Sequence, residues 1–313
     1  MFDIISIGSA TTDCFVKAKP EGFIKRQNHI DVCYAVGQKV LIESMEHQTG
    51  GGGTNTAVAF ARLGLKTGYA GIVGNDAHSK EILEELKHEG ITFLGKQKNG
   101  QTGYSIILTG LKNDRTILAY KGINDSMKPA DLQIKDAKWY YISSFIGDSF
   151  VSAQKILRKI KKPWTFNPSM YLAKKGINNL KEFVQGCGLL IMNKEEAMAA
   201  LGKTESMKQM AQELGKKTCR TIITDGKNGA LGYDGKFYKV FPRRINVIET
   251  TGAGDAFAAG CTAAILMGMK FSQALKLGQA EAESVLCAIG AKNNLLRKNR
   301  AIEEMKNITV REL

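Results

Sequence analysis

The sequence predicts an α/β protein, with a mainly parallel sheet flanked by helices and a small second sheet beside it. Three observations carry this. Phe2–Ile7 is an apolar run closed by Gly8-Ser9, the pattern of a strand buried on both faces of a parallel sheet. From Lys138 onward, apolar strand-like runs alternate regularly with helix-like segments. Between these regions, residues 14–48 and 102–120 lose that rhythm and read as short alternating strands outside the main sheet.

In chain order, the central strand is followed by mixed alternating pieces and then by a glycine run, Gly50 to Gly53, that enters an alanine-rich helix ending at Gly64. Residues 67–73 read as a strand, Asn75-Asp76 as a cap, and residues 77–89 as an amphipathic helix stopped by Gly90. Residues 102–109 and 116–120, joined by 110–115, form a hairpin pattern. Strands are then predicted at 139–144, 163–167, 189–192 and 221–224, with helices over 150–161 and from 168 to 185. A hairpin around Asp234-Gly235 leads into a second glycine-rich turn, and small-residue helices run from Ala256 through Ala291.

At 313 residues the chain can bury a large core, and its 43% hydrophobic and 24% charged composition reads as ordered throughout. The 44 basic against 30 acidic residues give +14, which favours anionic ligands. The lysines are scattered, dense only over 155–162 and 292–300 and without interleaved aromatics, so specific nucleic-acid binding is not indicated. Six dispersed cysteines, with no Cys-x-x-Cys and no histidine at ligand spacing, read as reduced thiols. The start lacks the pattern of a signal peptide, and the most apolar long segment, 256–269, is too short to span a membrane. A cytoplasmic protein is expected.

The chemistry concentrates in residues 247–260, an apolar strand end, the turn Thr250-Thr251-Gly252-Ala253-Gly254, and a helix opening with Asp255. Amides converging at the positive end of a helix dipole make an anion site, most simply for phosphate. A carboxylate beside that anion suggests a base for a hydroxyl that attacks phosphorus. The same residues also suit an ordinary tight turn with an acidic first helical turn. Three further groups fall where α/β sheets bind ligands, at strand carboxyl ends. Asp13 can accept hydrogen bonds from substrate hydroxyls, side-chain-free Gly50 to Gly53 admits a small polyol with Asn55 as donor and acceptor, and Asn193 with Glu195 and Glu196 offers hard oxygen donors for hydrated Mg²⁺. Each has a plain alternative, as turn aspartate, linker or capped helix start.

Jointly, Gly-Gly-Gly-Gly-Thr-Asn-Thr-Ala-Val-Ala-Phe-Ala-Arg-Leu-Gly ending at Gly64 and Glu-Thr-Thr-Gly-Ala-Gly-Asp-Ala-Phe ending at Phe257 resemble the PfkB/ribokinase family of carbohydrate and nucleoside kinases, over essentially the whole chain. The resemblance implies one ribokinase-like kinase domain over residues 1–313, a doubly wound sheet with a β-sheet lid formed by roughly residues 14–48 and 98–124. It implies transfer of the γ-phosphoryl of ATP to a hydroxymethyl group, with Asp255 as base and the amides of Gly252, Ala253 and Gly254 as anion hole. Asp13, Gly51 and Asn55 match residues that hold substrate hydroxyls, and Asn124 in Lys-Gly-Ile-Asn resembles an element near the lid. Asn193 and Glu196 match the Asn-x-x-Glu motif that acts on Mg²⁺ and phosphate, and Thr224 and Gly226 resemble the Thr-x-Gly lining the nucleotide site.

Two positions depart from the pattern. Glu249 stands where many members have Asp beside a monovalent-cation loop, and Ser143-Ser144-Phe145 offers no acidic residue where ribokinases proper have one. A sugar kinase is therefore the first expectation and a nucleoside kinase the alternative, with Phe15, Phe23, Tyr34 or Tyr104 of the lid available to a base. A non-catalytic metabolite sensor is a third reading. The apolar residues of the lid can also pair two subunits into a homodimer.

Overall fold

The computed structural model describes residues 1–18, 22–26, 30–111 and 114–313. Its main sheet has ten strands, in the order Thr309–Glu312, Phe237–Phe241, Ala230–Tyr233, Thr221–Thr224, Leu189–Asn193, Trp164–Phe166, Ala137–Ile142, Phe2–Ile7, Thr67–Ala70, Thr92–Phe93. From Thr92–Phe93 to Thr221–Thr224 every neighbour is parallel, and the three remaining strands add antiparallel.

Both faces of the central strands are buried, which explains their continuous apolar runs. Ile4, Leu189 and Ile191 pack on one face with Phe60, Phe257 and Leu275, while Ile5, Ile7, Leu190 and Met192 pack on the other with Phe166, Phe183 and Met210. The chain leaves Phe2–Ile7 toward Thr67–Ala70 on one side and later returns to Ala137–Ile142 on the other. The crevice beyond those carboxyl ends, occupied by Gly8, Ser9, Ser143 and Ser144, is the switch point of a doubly wound sheet.

The second sheet comprises Thr11–Ala18, Ile42–Gly50, Gly103–Leu111 and Asp114–Tyr120. Thr11–Ala18 runs parallel to Gly103–Leu111 and antiparallel to Ile42–Gly50. The segments expected as a lid thus supply this four-stranded sheet, extended at its base to Thr11 and Gly50, and a separate two-stranded hairpin of Gly22–Lys25 and Ile30–Cys33; residues 19–21, 27–29 and 112–113 of those segments lie outside the described residues. The helix expected from 168 to 185 is two short helices, Met170–Ala173 and Lys181–Val184, separated by Gly176 at φ 80°. A terminal helix, Lys298–Glu304, and the edge strand Thr309–Glu312 were not expected. Among the described residues no helix is long and apolar enough to cross a membrane.

Candidate active site

The second glycine-rich turn folds as predicted into the start of helix Ala253–Leu266. Gly252 caps it at φ 80°, a conformation that side chains rarely adopt, and a Cβ there would lie 2.5 Å from the Ala291 Cα. The first full helical bond runs from the Ala256 N–H to the Gly252 carbonyl at 2.8 Å, and ahead of it the Ala253 N–H makes only a long bond of 3.5 Å to the Thr250 carbonyl. At Gly254 the opposite holds, since beyond its chain neighbours and its own helix backbone no atom of the described residues lies within 4 Å of where a Cβ would stand. That open space at a helix N-terminus has the form of an anion cradle.

Asp255 sits in the first turn of this helix and lines the adjoining cleft. Its Oδ2 accepts a hydrogen bond from the Asn55 side-chain amide at 2.8 Å. Burial raises its pKa above the ordinary aspartate value, opposed by the Asn55 bond and by the charge of Lys292, and reinforced by Asp13.

Asn55 is delivered by the first glycine turn. Strand Ile42–Gly50 passes into helix Gly52–Arg62 through Gly51 at φ 97°, and the Gly53 N–H donates to the Ser9 carbonyl at 3.1 Å. A side chain at Gly51 would collide with the Ser9 carbonyl and the Ala10 Cα. Buried Asn55 thereby meets Asp255, and its Oδ1 has no hydrogen-bond partner among the described residues. A buried open acceptor beside a carboxylate suits a hydroxyl donor. Asp13, 6% exposed, accepts from Thr11 Oγ1 at 3.1 Å and from Ser105, and burial raises its pKa.

Asn193 and Glu196 form a reciprocal cap at the start of helix Lys194–Leu201. The Glu196 N–H donates to Asn193 Oδ1 at 2.7 Å, and the Asn193 N–H to Glu196 Oε2 at 2.9 Å. Burial pushes the Glu196 carboxyl up to about 7, partly offset by the Asn193 N–H. Glu196 also lines the cleft. A divalent ion there would stabilise the carboxylate, which fits a hydrated Mg²⁺; among the described residues no three His, Cys, Asp or Glu side chains cluster as a dehydrated metal cage.

One cleft of about 370 Å³ gathers Asn124, Asn193, Glu196, Thr224, Gly254 and Asp255. Asp13, Gly51 and Asn55 adjoin it through the Asn55–Asp255 bond, and Gly252 and Ala253 shape the helix start behind Gly254. Gly226 opens a short turn, Gly226–Asn228, and is not among the residues lining the cleft. Asn124 spends its amide on the Ala10 backbone, donating to the carbonyl at 2.8 Å and accepting from the N–H at 3.4 Å, so it fixes the crossing from main sheet to small sheet. Of the small-sheet aromatics, Phe15 is buried and, two residues on, shares a face with Asp13. Tyr104 bonds His47 on the opposite face, where Tyr34 also packs, and the Phe23 side chain lies outside the described residues.

Sequence reasoning assigned no role to Asn167 and Ser169, which line the cleft at the end of strand Trp164–Phe166; their strand-end position was the available signal. It read Lys292 only as the start of a locally dense basic run; the structure buries it, 3% exposed, with its ammonium bonded to Glu85 and Thr49.

Residues 1–298 match the family model described as pfkB family carbohydrate kinase. The chain is 27% identical over 278 residues to a ribokinase of Bacillus subtilis, covering 86% of this chain and 91% of that protein. It is 23% identical over 309 residues to a nucleoside kinase of Methanothermobacter thermautotrophicus, covering 96% and 94%. Among solved structures, a ribokinase from Thermotoga maritima superposes with a TM-score of 0.83 at 20% identity, covering 98% of this chain and 100% of the other.

Proposed function

Because the chain belongs to the pfkB family of carbohydrate kinases, we propose that it transfers the γ-phosphoryl of ATP to a hydroxymethyl group of a sugar. The observation that carries this reading is Asp255, which lines the same cleft as the open amide cradle at Gly254 and is oriented by Asn55. The acceptor hydroxyl, held by Asp13, Gly51 and Asn55, attacks the γ-phosphorus. The bond from that phosphorus to the β,γ-bridging oxygen breaks, ADP leaves, and the hydroxyl proton passes to Asp255.

A loose transition state spreads negative charge over the equatorial oxygens, and the amides of Gly252, Ala253 and Gly254 meet it at the helix start, Ala253 giving up its long bond to the Thr250 carbonyl. Bound Mg²⁺, reached through Glu196 and Asn193, would offset phosphate charge. Thr224 and Gly226 are assigned to the nucleotide side and Asn124 to the acceptor side. The Glu249 carboxylate is already met by Thr251 and by Arg115 at 3.7 Å, so the proposal includes no monovalent cation. The small sheet acts as the lid, and closing it excludes water from the phosphoryl group.

A nucleoside acceptor is the second reading, favoured by Phe15 beside Asp13 on one lid face, where a base can stack. ADP release measured across pentoses, hexoses, sugar acids, sugar phosphates and nucleosides separates the two. One strong sugar acceptor supports the first reading, a nucleoside the second, and ATP binding with no acceptor leaves a metabolite sensor.

A further inference from the structure

Outside the catalytic residues, one buried cation sits where the two glycine turns meet. The Lys292 ammonium donates to Thr49 Oγ1 at 2.9 Å, lies 3.5 Å from Thr54 Oγ1, and pairs with Glu85 of helix Ala77–His88. Thr49 also donates to Glu85 at 2.7 Å, and Thr54 Oγ1 donates to the Gly50 carbonyl at 2.5 Å. Lys292 therefore grips the residues on both sides of the Gly50-Gly51 turn. On the other side of Gly50 stands the Asp13 carboxylate, so close that a Cβ on Gly50 would collide with it.

The residue before Lys292 completes the connection. Ala291 occupies the space beside Gly252, the cap of the anion-hole helix. The Lys292 carbonyl is fixed in turn by Arg62 at 2.6 Å, and Arg62 is paired with Glu89. One short segment thus packs against the anion hole through Ala291 and against the acceptor turn through Lys292.

A buried lysine is costly unless its charge is used, and Glu85 alone would balance it as a pair no better than apolar packing. Burial lowers the Lys292 pKa and the Glu85 and Asp13 carboxylates oppose that; the ammonium charge in turn favours the ionised form of both Asp13 and Asp255. The other groups acting on Asp255 are the Asn55 amide and the charges of Asp13, with Tyr141 and Glu196 feeling Asp255 in return.

We propose that Lys292 is a positioning residue for phosphoryl transfer, an internal counter-ion that keeps the Asp13 and Asp255 carboxylates together at one acceptor hydroxyl and ties the Gly50-Gly51 turn to the anion hole. Its catalytic arm rests on the kinase reading above. Two carboxylates aimed at one small site repel each other, and a fixed ammonium behind the turn offsets that repulsion without occupying the cleft.

The test is a set of variants that separates folding from charge. Lys292→Met leaves the part-buried Glu85 carboxylate with its Thr49 bond but without its ammonium and lowers Tm; Lys292→Met combined with Glu85→Gln removes both charges and returns Tm toward wild type. In that double variant kcat is expected to stay at least about tenfold below wild type with nucleotide KM unchanged, the loss of a charge interaction made in the transition state. Asp255→Asn is then added to wild type and to the double variant, and the rise in Tm is expected to be larger in the double variant, where the aspartate has lost its cation. A double variant that turns over at the wild-type rate, or equal Tm gains in the two backgrounds, overturns the proposal. If wild type phosphorylates no acceptor, the kinase reading fails, and the Tm comparison still decides the counter-ion.

Discussion

The Asn55 side-chain amide donates to Asp255 Oδ2 at 2.8 Å across 200 residues of sequence, joining the two glycine-led helices at one carboxylate. Asp255→Asn can keep that bond through its amide oxygen while losing the base. Burial makes the ionised form of Asp255 costly, so the neutral variant should melt higher than wild type. It should also lose at least about a hundredfold in kcat, with nucleotide binding retained. Steady-state ADP release and melting curves on one preparation check both halves, and near-normal turnover would remove Asp255 from the role of base.

The two glycines flanking Ala253 should respond oppositely to alanine. Gly254→Ala meets no atom of the described residues within 4 Å beyond its chain neighbours and its own helix backbone and gains helix propensity, so Tm should hold or rise slightly, by about 0.5–1 kcal/mol of stability. Its methyl would stand in the proposed anion cradle, and activity should fall at least about tenfold. Gly252→Ala combines φ 80° with a collision against Ala291 and should lower Tm outright. A fully active Gly254→Ala protein would show that phosphate does not approach that amide.

Much of this was legible in the sequence because local rules and the fold agreed. The apolar run of Phe2–Ile7 announced a strand buried on both faces, and the glycines before Asn55 and Asp255 announced backbone turns at strand ends. What the sequence could not show was the contact between distant segments. Lys292 stands in a stretch with Lys298 and Arg300 and looks solvated; only the packing of Ala291 on Gly252 carries it inward. Thr309–Glu312 was missed because an edge strand with one residue of its four half-buried has little apolar pattern to read.

Stability should depend on pH through Glu281. This residue of helix Phe271–Val285 is fully buried; the Leu296 N–H donates to its Oε2 at 3.2 Å, and its Oε1 has no hydrogen-bond partner among the described residues. Burial pushes its carboxyl up to about 8, against the lowering effects of the Leu296 N–H and Arg62. The unfolded value is about 4.3, so its contribution is fully present below that pH, falls as pH rises above it, and is lost once pH passes about 8. Melting temperature should therefore fall between about pH 4 and pH 8 and level off above that, and Glu281→Gln should flatten the fall. Glu196, raised to about 7, acts in the same direction and keeps some slope in the variant. Superimposable pH profiles for wild type and variant would count against a buried, protonated Glu281.

The outer face of the lid should set the oligomeric state. Met45, Ile106, Leu118 and Tyr120 lie on the face opposite Asp13, by the register of the four strands, and are 56%, 36%, 53% and 55% exposed. Covering a large apolar side chain gains about 1.5–3 kcal/mol, so a second copy seated on this face would recover several such contributions. We therefore expect a homodimer through the lid. Leu118→Lys costs little within one chain, because the side chain is already half in water, but it places an ammonium inside the contact. Size-exclusion chromatography with light scattering should give a dimer for wild type and a monomer of unchanged Tm for the variant. A wild-type protein that stays monomeric at the highest concentration measured would leave the lid as a cover for the active site alone.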